Sequence, residues 1–423
     1  MSKKNKDDNK VKKPVKGKTK LKRELGFTDI TLATAGYIIG AGIYAVIGLA
    51  AGYAKDFTWL SVVICGIIAI CTGMSFSELA SMFNKNAGEY YYTKEAFNDG
   101  IAKVVAYFII ITEILTINAI SFGLGNYLST FINVKPIIIS ACSLIIFGYL
   151  NYVGIRESMD YNNIATIIEI SGLILISILG FKNIKSESFD LSKLKMDNIS
   201  PILIGTALIY FAYFGYDIVI ELSEETKEPE KNIPKGMLYG LGISTILYCI
   251  VTISSISTIG WKALSESKAP MIDVANALLG GYGGKLLLLI AVISMSNTLL
   301  LGHVASSRFI QSTSKNINIP FNMDKIDDKT QTPKNAIIAV TLISLIGLLL
   351  GNLERSVSIT NIGTLFIFLL VNVSVIILRK KYPNAKRPFT IPFAINNIPI
   401  SSIVGGLSSI VLAYYLINNL ISG

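Results

Sequence analysis

Four ionisable side chains interrupt long apolar runs in this sequence: Glu113, Glu169, Asp217 and His303. A charge in hydrocarbon is costly, so each is a candidate for chemistry. A carboxyl in such a place can hold and release a proton or bind a cation. It can also merely pair with a neighbour. Asp217 can cap freed backbone N–H groups, and Glu113 can orient scaffold helices. His303, the one histidine, can titrate at about pH 6.5 or hydrogen-bond to a neighbouring helix. Ser306 and Ser307 can offer hydroxyls to a sodium ion or serve as glue between helices. Glu78 and Arg308, near span ends, are candidates for an ion pair at an inner gate.

Backbone chemistry is the second resource. Gly36-Tyr37-Ile38-Ile39-Gly40-Ala41-Gly42-Ile43-Tyr44 lies inside one apolar run. Tyr210-Phe211-Ala212-Tyr213-Phe214-Gly215-Tyr216-Asp217 lies inside another. A helix broken within a bilayer frees N–H and C=O groups that lipid cannot satisfy, so a break persists only where it lines a cavity. The freed N–H groups at a half-helix start suit a carboxylate, and the freed carbonyls suit an ammonium. Gly36 and Gly40 also form a small-xxx-small pair, which alone means close helix packing. A matching break in each half of a membrane protein points to a transport site at the midplane.

The elements that position these groups follow from composition. The 423-residue chain is 52% hydrophobic and 16% charged, with a mean hydropathy of +0.56. That is an all-α polytopic membrane protein, with apolar runs too long for barrel strands. Eleven spans are expected, near 27–51, 58–82, 101–131, 136–153, 161–181, 200–221, 237–260, 283–312, 334–351, 358–379 and 399–420. Much of the net charge of +10 sits in Lys3–Arg23, a lysine-dense stretch without apolar periodicity. It is expected to be a disordered cytoplasmic tail that sets topology and meets anionic lipid, not a nucleic-acid arm. No signal peptide is expected before the first span.

Loop charges set the orientation. The loop after span ten carries Arg379, Lys380, Lys381, Lys386 and Arg387, whereas short loops on the other side carry little. This places the N-terminus in the cytoplasm and, after eleven spans, the C-terminus outside. The lysine-bearing 182–199 loop is the discordant piece. The expected organisation is a tail (1–25), a first five-helix repeat (26–182), a second, inverted one (183–380) and one additional C-terminal helix (381–423). Cys65, Cys71, Cys142 and Cys249 all lie in apolar runs and act as small hydrophobes. No metal spacing, phosphate-binding loop or nucleophile motif is present, so no cofactor, ATP use or enzyme activity is expected.

The motifs in order resemble the amino acid–polyamine–organocation transporters. Glu24-Leu25-Gly26 and Ile38-Ile39-Gly40-Ala41-Gly42-Ile43 resemble that family's first helix. Ser75-Phe76-Ser77-Glu78-Leu79-Ala80 and Ala87–Phe97 resemble the end of its second helix and the following loop. Phe211–Asp217, with Glu224-Glu225-Thr226-Lys227-Glu228-Pro229 and Asn232-Ile233-Pro234, resembles its broken sixth helix and exit. Ser307-Arg308, Thr332-Pro333, Ile362-Gly363-Thr364-Leu365 and Arg387-Pro388-Phe389 continue the likeness over most of the chain.

The resemblance implies a five-plus-five inverted-repeat fold with broken helices 1 and 6, carrying amino acids or related amines by alternating access. The backbone N–H groups of Gly40, Ala41, Gly42 and Ile43 then form the carboxylate cradle, Ala41 replacing a serine found in some members. Carbonyls of Ile38 and Ile39, and of Tyr210, Phe211 and Phe214 beside Gly215, receive the ammonium. Phe211 is the aromatic that closes over substrate. Glu169 stands where many proton-coupled members have a lysine, so their mechanism does not transfer. Glu113 stands where some cationic-amino-acid members have an acid. The coupling candidates are therefore Glu169, Asp217 and Glu113. Proton-coupled uptake comes first, exchange second and sodium coupling third. Polyamine carriage, a channel and a non-transporting sensor are the rival readings. The loop Ile132–Pro136 has no cysteine, so no disulfide-linked heavy chain is expected. Many members have further helices beyond those of this chain, and these lie outside the transport core.

Overall fold

The computed structural model describes residues 25–83, 88–153, 159–184, 192, 194–223, 226–327, 330 and 332–422. The basic tail and Glu224-Glu225 lie outside the described residues. The chain is all-α. In order, the helices are α1 (Phe27–Ile39), α2 (Ala41–Ala54), α3 (Thr58–Met82), α4 (Gly88–Ala96) and α5 (Asp99–Ser129). Then come α6 (Pro136–Val153), α7 (Met159–Gly180), α8 (Ile199–Ile209), α9 (Pro229–Glu266) and α10 (Pro270–Leu279). The last four are α11 (Gly281–Thr313), α12 (Lys334–Leu350), α13 (Leu353–Lys381) and α14 (Ile400–Ser422). A two-residue hairpin, β1 (Ala394–Ile395) with β2 (Ile398–Pro399), lies between α13 and α14. Its turn residues Asn396 and Asn397 are left-handed, as a tight hairpin requires.

Helices dominate because lipid offers backbone groups no partners and a helix pairs them internally. Where the helices end, side chains help: Asn98 accepts from the Ile101 N–H before α5, and Asn352 from the Arg355 N–H before α13. Apolar side chains such as Ile67, Ile111, Ile146, Ile178 and Leu349 cover outward faces.

Nine helices among the described residues are long and apolar enough to cross a membrane. The difference from eleven expected spans lies in two places. The first span is divided at Gly40, leaving Phe27–Ile39 short, and its second part runs through a 3-10 turn (Lys55–Phe57) into α3. The ninth is also short, at 17 residues.

The C-terminal helix is not peripheral. It packs extensively on α13 and α3 and also touches α8. At the other end of the chain, Leu25 pairs with Thr226, and the Lys227 N–H donates to the Leu25 carbonyl at 2.8 Å. The start of α1 is thereby pinned to the chain that follows Leu222.

Candidate functional site

The first break is sharp. α1 stops at Ile39, Gly40 takes φ −45° and ψ −140°, and α2 starts at Ala41. Gly40 donates its N–H to the Gly36 carbonyl at 3.2 Å and so closes α1. The first-turn N–H groups of Ala41, Gly42 and Ile43 have no carbonyl a turn behind them within α2. The Ala41 side chain lies outside the description.

The second break is longer. α8 ends at Ile209, tightens into a 3-10 turn over Tyr210–Tyr213, then extends at Phe214 (φ −63°, ψ 154°). Gly215 follows with φ +102°, a left-handed backbone that favours glycine. The chain resumes as a 3-10 helix, Ile218–Leu222. The Asp217 carboxylate faces the N–H groups of Gly215 and Ile218.

The two breaks meet. A Cβ on Gly42 would lie 2.5 Å from the Ala212 Cα, and one on Gly215 would lie 3.0 Å from the Tyr37 Cβ. Gly42 is therefore glycine for close approach between the segments, whatever else its N–H does. Tyr248 of α9 bridges them: its hydroxyl lies 2.5 Å from the Ile38 carbonyl and 3.1 Å from the Ala212 carbonyl. Its ring meets Tyr213 edge-on at 5.4 Å. Asn361 of α13 donates to the Ala207 carbonyl at 2.6 Å, just ahead of the second break.

Around these backbones the side chains are apolar and buried. Ile38, Ile39, Ile43 and Tyr210 are fully enclosed, and Phe211 nearly so, with Phe214 half-buried. Phe211 and Phe214 have ring centres 5.7 Å apart. Beyond them Phe368 gathers Phe76, Tyr216, Tyr210 and Phe214 at 5.2 to 6.2 Å. These aromatic pairs stack edge-on or tilted, which their quadrupoles favour.

The acids separate into different surroundings. Glu169 of α7 is 1% exposed. It lies three residues after Thr166, whose hydroxyl would be 2.1 Å from a Cβ on Gly36. It faces Ser294 of α11, and the Tyr44 and Tyr248 phenols lie within its electrostatic reach. Among the described residues, neither Glu169 oxygen makes a hydrogen bond of ordinary geometry. Thr298, one turn from Ser294, packs against Gly40, where a Cβ would meet its hydroxyl at 2.2 Å. Glu169 thus stands beside the first break.

Glu113 does not share that position. It is half-buried on α5, one turn before Ile117, which packs on Gly302 of α11. His303 is fully buried, with Nδ1 2.9 Å from the Leu299 carbonyl of its own helix. Ser307 donates to the Val304 carbonyl and accepts from Asn151 of α6. Ser306 and Ser307 lie eight and nine residues past Thr298, roughly 12–14 Å along the helix. On α11, Thr298 is the residue whose hydroxyl lies against Gly40 of the first break.

Glu78 is paired. Arg379 grips both its oxygens, Arg387 Nε lies 3.2 Å from Oε1, and the Ile391 N–H donates to Oε2 at 2.9 Å. Glu78 and Arg379 are 1% and 3% exposed. Tyr248, Asn361 and this ion node were missed from sequence. The available signal was a lone Tyr or Asn within an apolar span, which does not reveal its facing.

An all-α membrane bundle whose two interrupted segments meet in its buried centre has the build of a solute carrier. The chain belongs to the amino acid permease family, whose profile matches residues 25–421. It is 29% identical to a branched-chain amino acid permease of Bacillus subtilis, over 95% of this chain and 89% of that protein. It is 23% identical to a methylthioribose transporter of the same organism, over 91% and 86%. It is 24% identical to cationic amino acid transporter 1 of Arabidopsis thaliana, over 85% and 63%. The family is one of transporters, not enzymes.

Proposed function

We propose that this permease is a secondary active carrier that binds an amino acid between the two breaks and exposes it alternately to each side. The observation that carries the reading is the meeting of the breaks: Gly42 against Ala212, Gly215 against Tyr37, and Tyr248 touching a carbonyl of each. The N–H groups of Ala41, Gly42 and Ile43 take the carboxylate, whereas that of Gly40, also expected there, is turned back onto the Gly36 carbonyl. Carbonyls of Ile38, Ile39, Tyr210, Phe211 and Phe214 take the ammonium, and Phe211 closes the site. Helices α1 to α7 and α8 to α13 form the two inverted five-helix repeats, with the N-terminus cytoplasmic and the C-terminus outside.

The preferred substrate is a neutral amino acid with an apolar side chain. The walls at the breaks are Ile38, Ile39, Ile43, Phe211 and Phe214, and the similar Bacillus protein is named for branched-chain amino acids. Glu169 carries the coupling proton, because it is the acid beside the first break and its oxygens have room for one. Asp217 lies beyond the second break, and Glu113 stands on α5, away from the first break.

The test is uptake of a labelled amino acid panel into proteoliposomes under an inward proton gradient, an inward sodium gradient, or neither with amino acid preloaded. Accumulation of branched-chain amino acids driven by protons supports the reading. Uptake only after preloading makes the protein an exchanger and removes Glu169 from coupling. Flux of polyamines alone overturns the substrate assignment, and binding without flux makes it a sensor.

A further inference from the structure

The C-terminal helix α14 is fastened along its length by buried polar contacts. Near its start, the Ser402 hydroxyl lies 2.8 Å from that of Ser75, which donates to Asn372 Oδ1 at 2.7 Å. Asn372 in turn donates to Thr72 at 3.2 Å. The backbone of α14 lies flush here: a Cβ on Gly405 would be 2.7 Å from the Thr72 hydroxyl and 2.9 Å from Asn372. Thr72, Ser75 and Glu78 recur every third residue, forming one stripe of α3, and Glu78 continues the seam into the Arg379–Arg387 node.

The far end of α14 makes a different contact. Asn419 Nδ2 donates to the Tyr53 hydroxyl at 3.0 Å, and that hydroxyl donates to Glu354 Oε1 at 2.8 Å. Tyr53 is in the last turn of α2, and Glu354 is the second residue of α13. Ser402 and Asn419 are 17 residues apart, roughly 25 Å along a helix, so one rigid rod joins the seam to this contact.

We infer that Tyr53, Glu354 and Asn419 form a latch by which α13 and α14 hold the outer end of α2, and so set how readily the carrier opens outward. The inference rests on the proposed site at the breaks and on the proposed orientation. α2 is the segment leading outward from Gly40, so an outer path to the break must part α2 from something. Its packing is extensive against α8 and α9 and sparse against α13 and α14. Its outer end therefore parts most easily from α13 and α14, where the hydroxyl of Tyr53 bridges the gap. A hydroxyl that donates to a carboxylate while accepting from an amide is polarised from both sides.

The test uses Tyr53→Phe, which removes one oxygen, together with Asn419→Leu and the double variant. Sided uptake is measured in right-side-out vesicles, with the amount of folded carrier quantified for each. Loss of the latch favours the outward-open state, so external KM falls about threefold to fivefold, while the maximal rate per carrier falls as closure becomes harder. The double variant matches Tyr53→Phe, which already removes both contacts of the hydroxyl, whereas Asn419→Leu leaves the bond to Glu354 and shifts KM less. Glu354→Gln keeps an acceptor and shows a smaller shift. A wild type that transports alongside variants with unchanged KM overturns the latch alone, as does a double variant whose effects multiply. A wild type with no flux of any amino acid overturns the reading of the breaks and the latch with it. Tyr53→Phe decides the matter if Asn419→Leu fails to fold.

Discussion

Replacing Tyr248 by Phe removes one oxygen from the point where the two breaks are joined. The ring remains, so the edge-on contact with Tyr213 at 5.4 Å is kept and no cavity larger than an oxygen appears. The hydroxyl has one proton for two carbonyls. The 2.5 Å distance to Ile38, against 3.1 Å to Ala212, assigns it mainly to Ile38. One hydrogen bond is lost, not two, but a buried carbonyl is left with an empty position. A buried group deprived of its partner costs about 1–3 kcal/mol. If the joined arrangement is the one that receives substrate, about 1.4 kcal/mol of that cost weakens binding by roughly tenfold. The assay is equilibrium binding of labelled leucine to solubilised carrier, with thermal unfolding on the same samples. The expected result is a Kd raised about tenfold in a protein that still folds. Affinity within about twofold of wild type, or tighter binding because the freed Ile38 carbonyl now serves the ammonium alone, would refute the reasoning.

Gly42→Ala should be severe for so small a change, because its Cβ would meet the Ala212 backbone at 2.5 Å. The segments must part by roughly 1 Å, and overpacking of this kind costs about 1–3 kcal/mol; leucine binding should fall with a lowered unfolding temperature, and an unperturbed variant would show that the breaks are further apart than described. Glu169→Gln should flatten the pH dependence of uptake. With a proton on Glu169 required for inward movement, wild-type uptake is highest at low external pH and declines as pH rises through its titration; an unchanged profile in the variant would pass the role to Asp217. Arg379→Met should lower stability by about 3 kcal/mol, because it strands the buried Glu78 with only Arg387 and one N–H. The double variant with Glu78→Gln should recover part of that loss in thermal unfolding, and strict additivity would show that the pair does not act as a unit.

Hydropathy revealed the helices because hydrocarbon thickness and apolar run length are the same constraint. Thr58–Met82 and Pro136–Val153 lie where the apolar runs end. Gly40 was legible as a break because glycine is unusual mid-span, and Gly215 because it had a counterpart. Tyr248 and Asn361 were not legible, since their value depends on which helix they face, and a low hydrophobic bias around a buried helix does not fix its rotation. The Glu78–Arg379 pair was hidden for another reason. Its partners are 301 residues apart, and Arg379 and Arg387 stood among five basic residues that read as an orientation signal. Two of the five are instead 3% and 9% exposed. The charges that obey the topology rule and the charges that hold the helices together are partly the same ones.

The bond between Leu25 and Lys227 makes α1 a lever with its far end tied. From its first residue to Gly40 the helix has 13 residues, a rod of roughly 20 Å. Tilting that rod by about 10° around Gly40 sweeps the Leu25 end through roughly 3 Å. A 2.8 Å hydrogen bond cannot stretch that far and survive. Either the bond breaks at every stroke, or the chain after Leu222 swings with α1. In the second case the two walls of the central site share one handle.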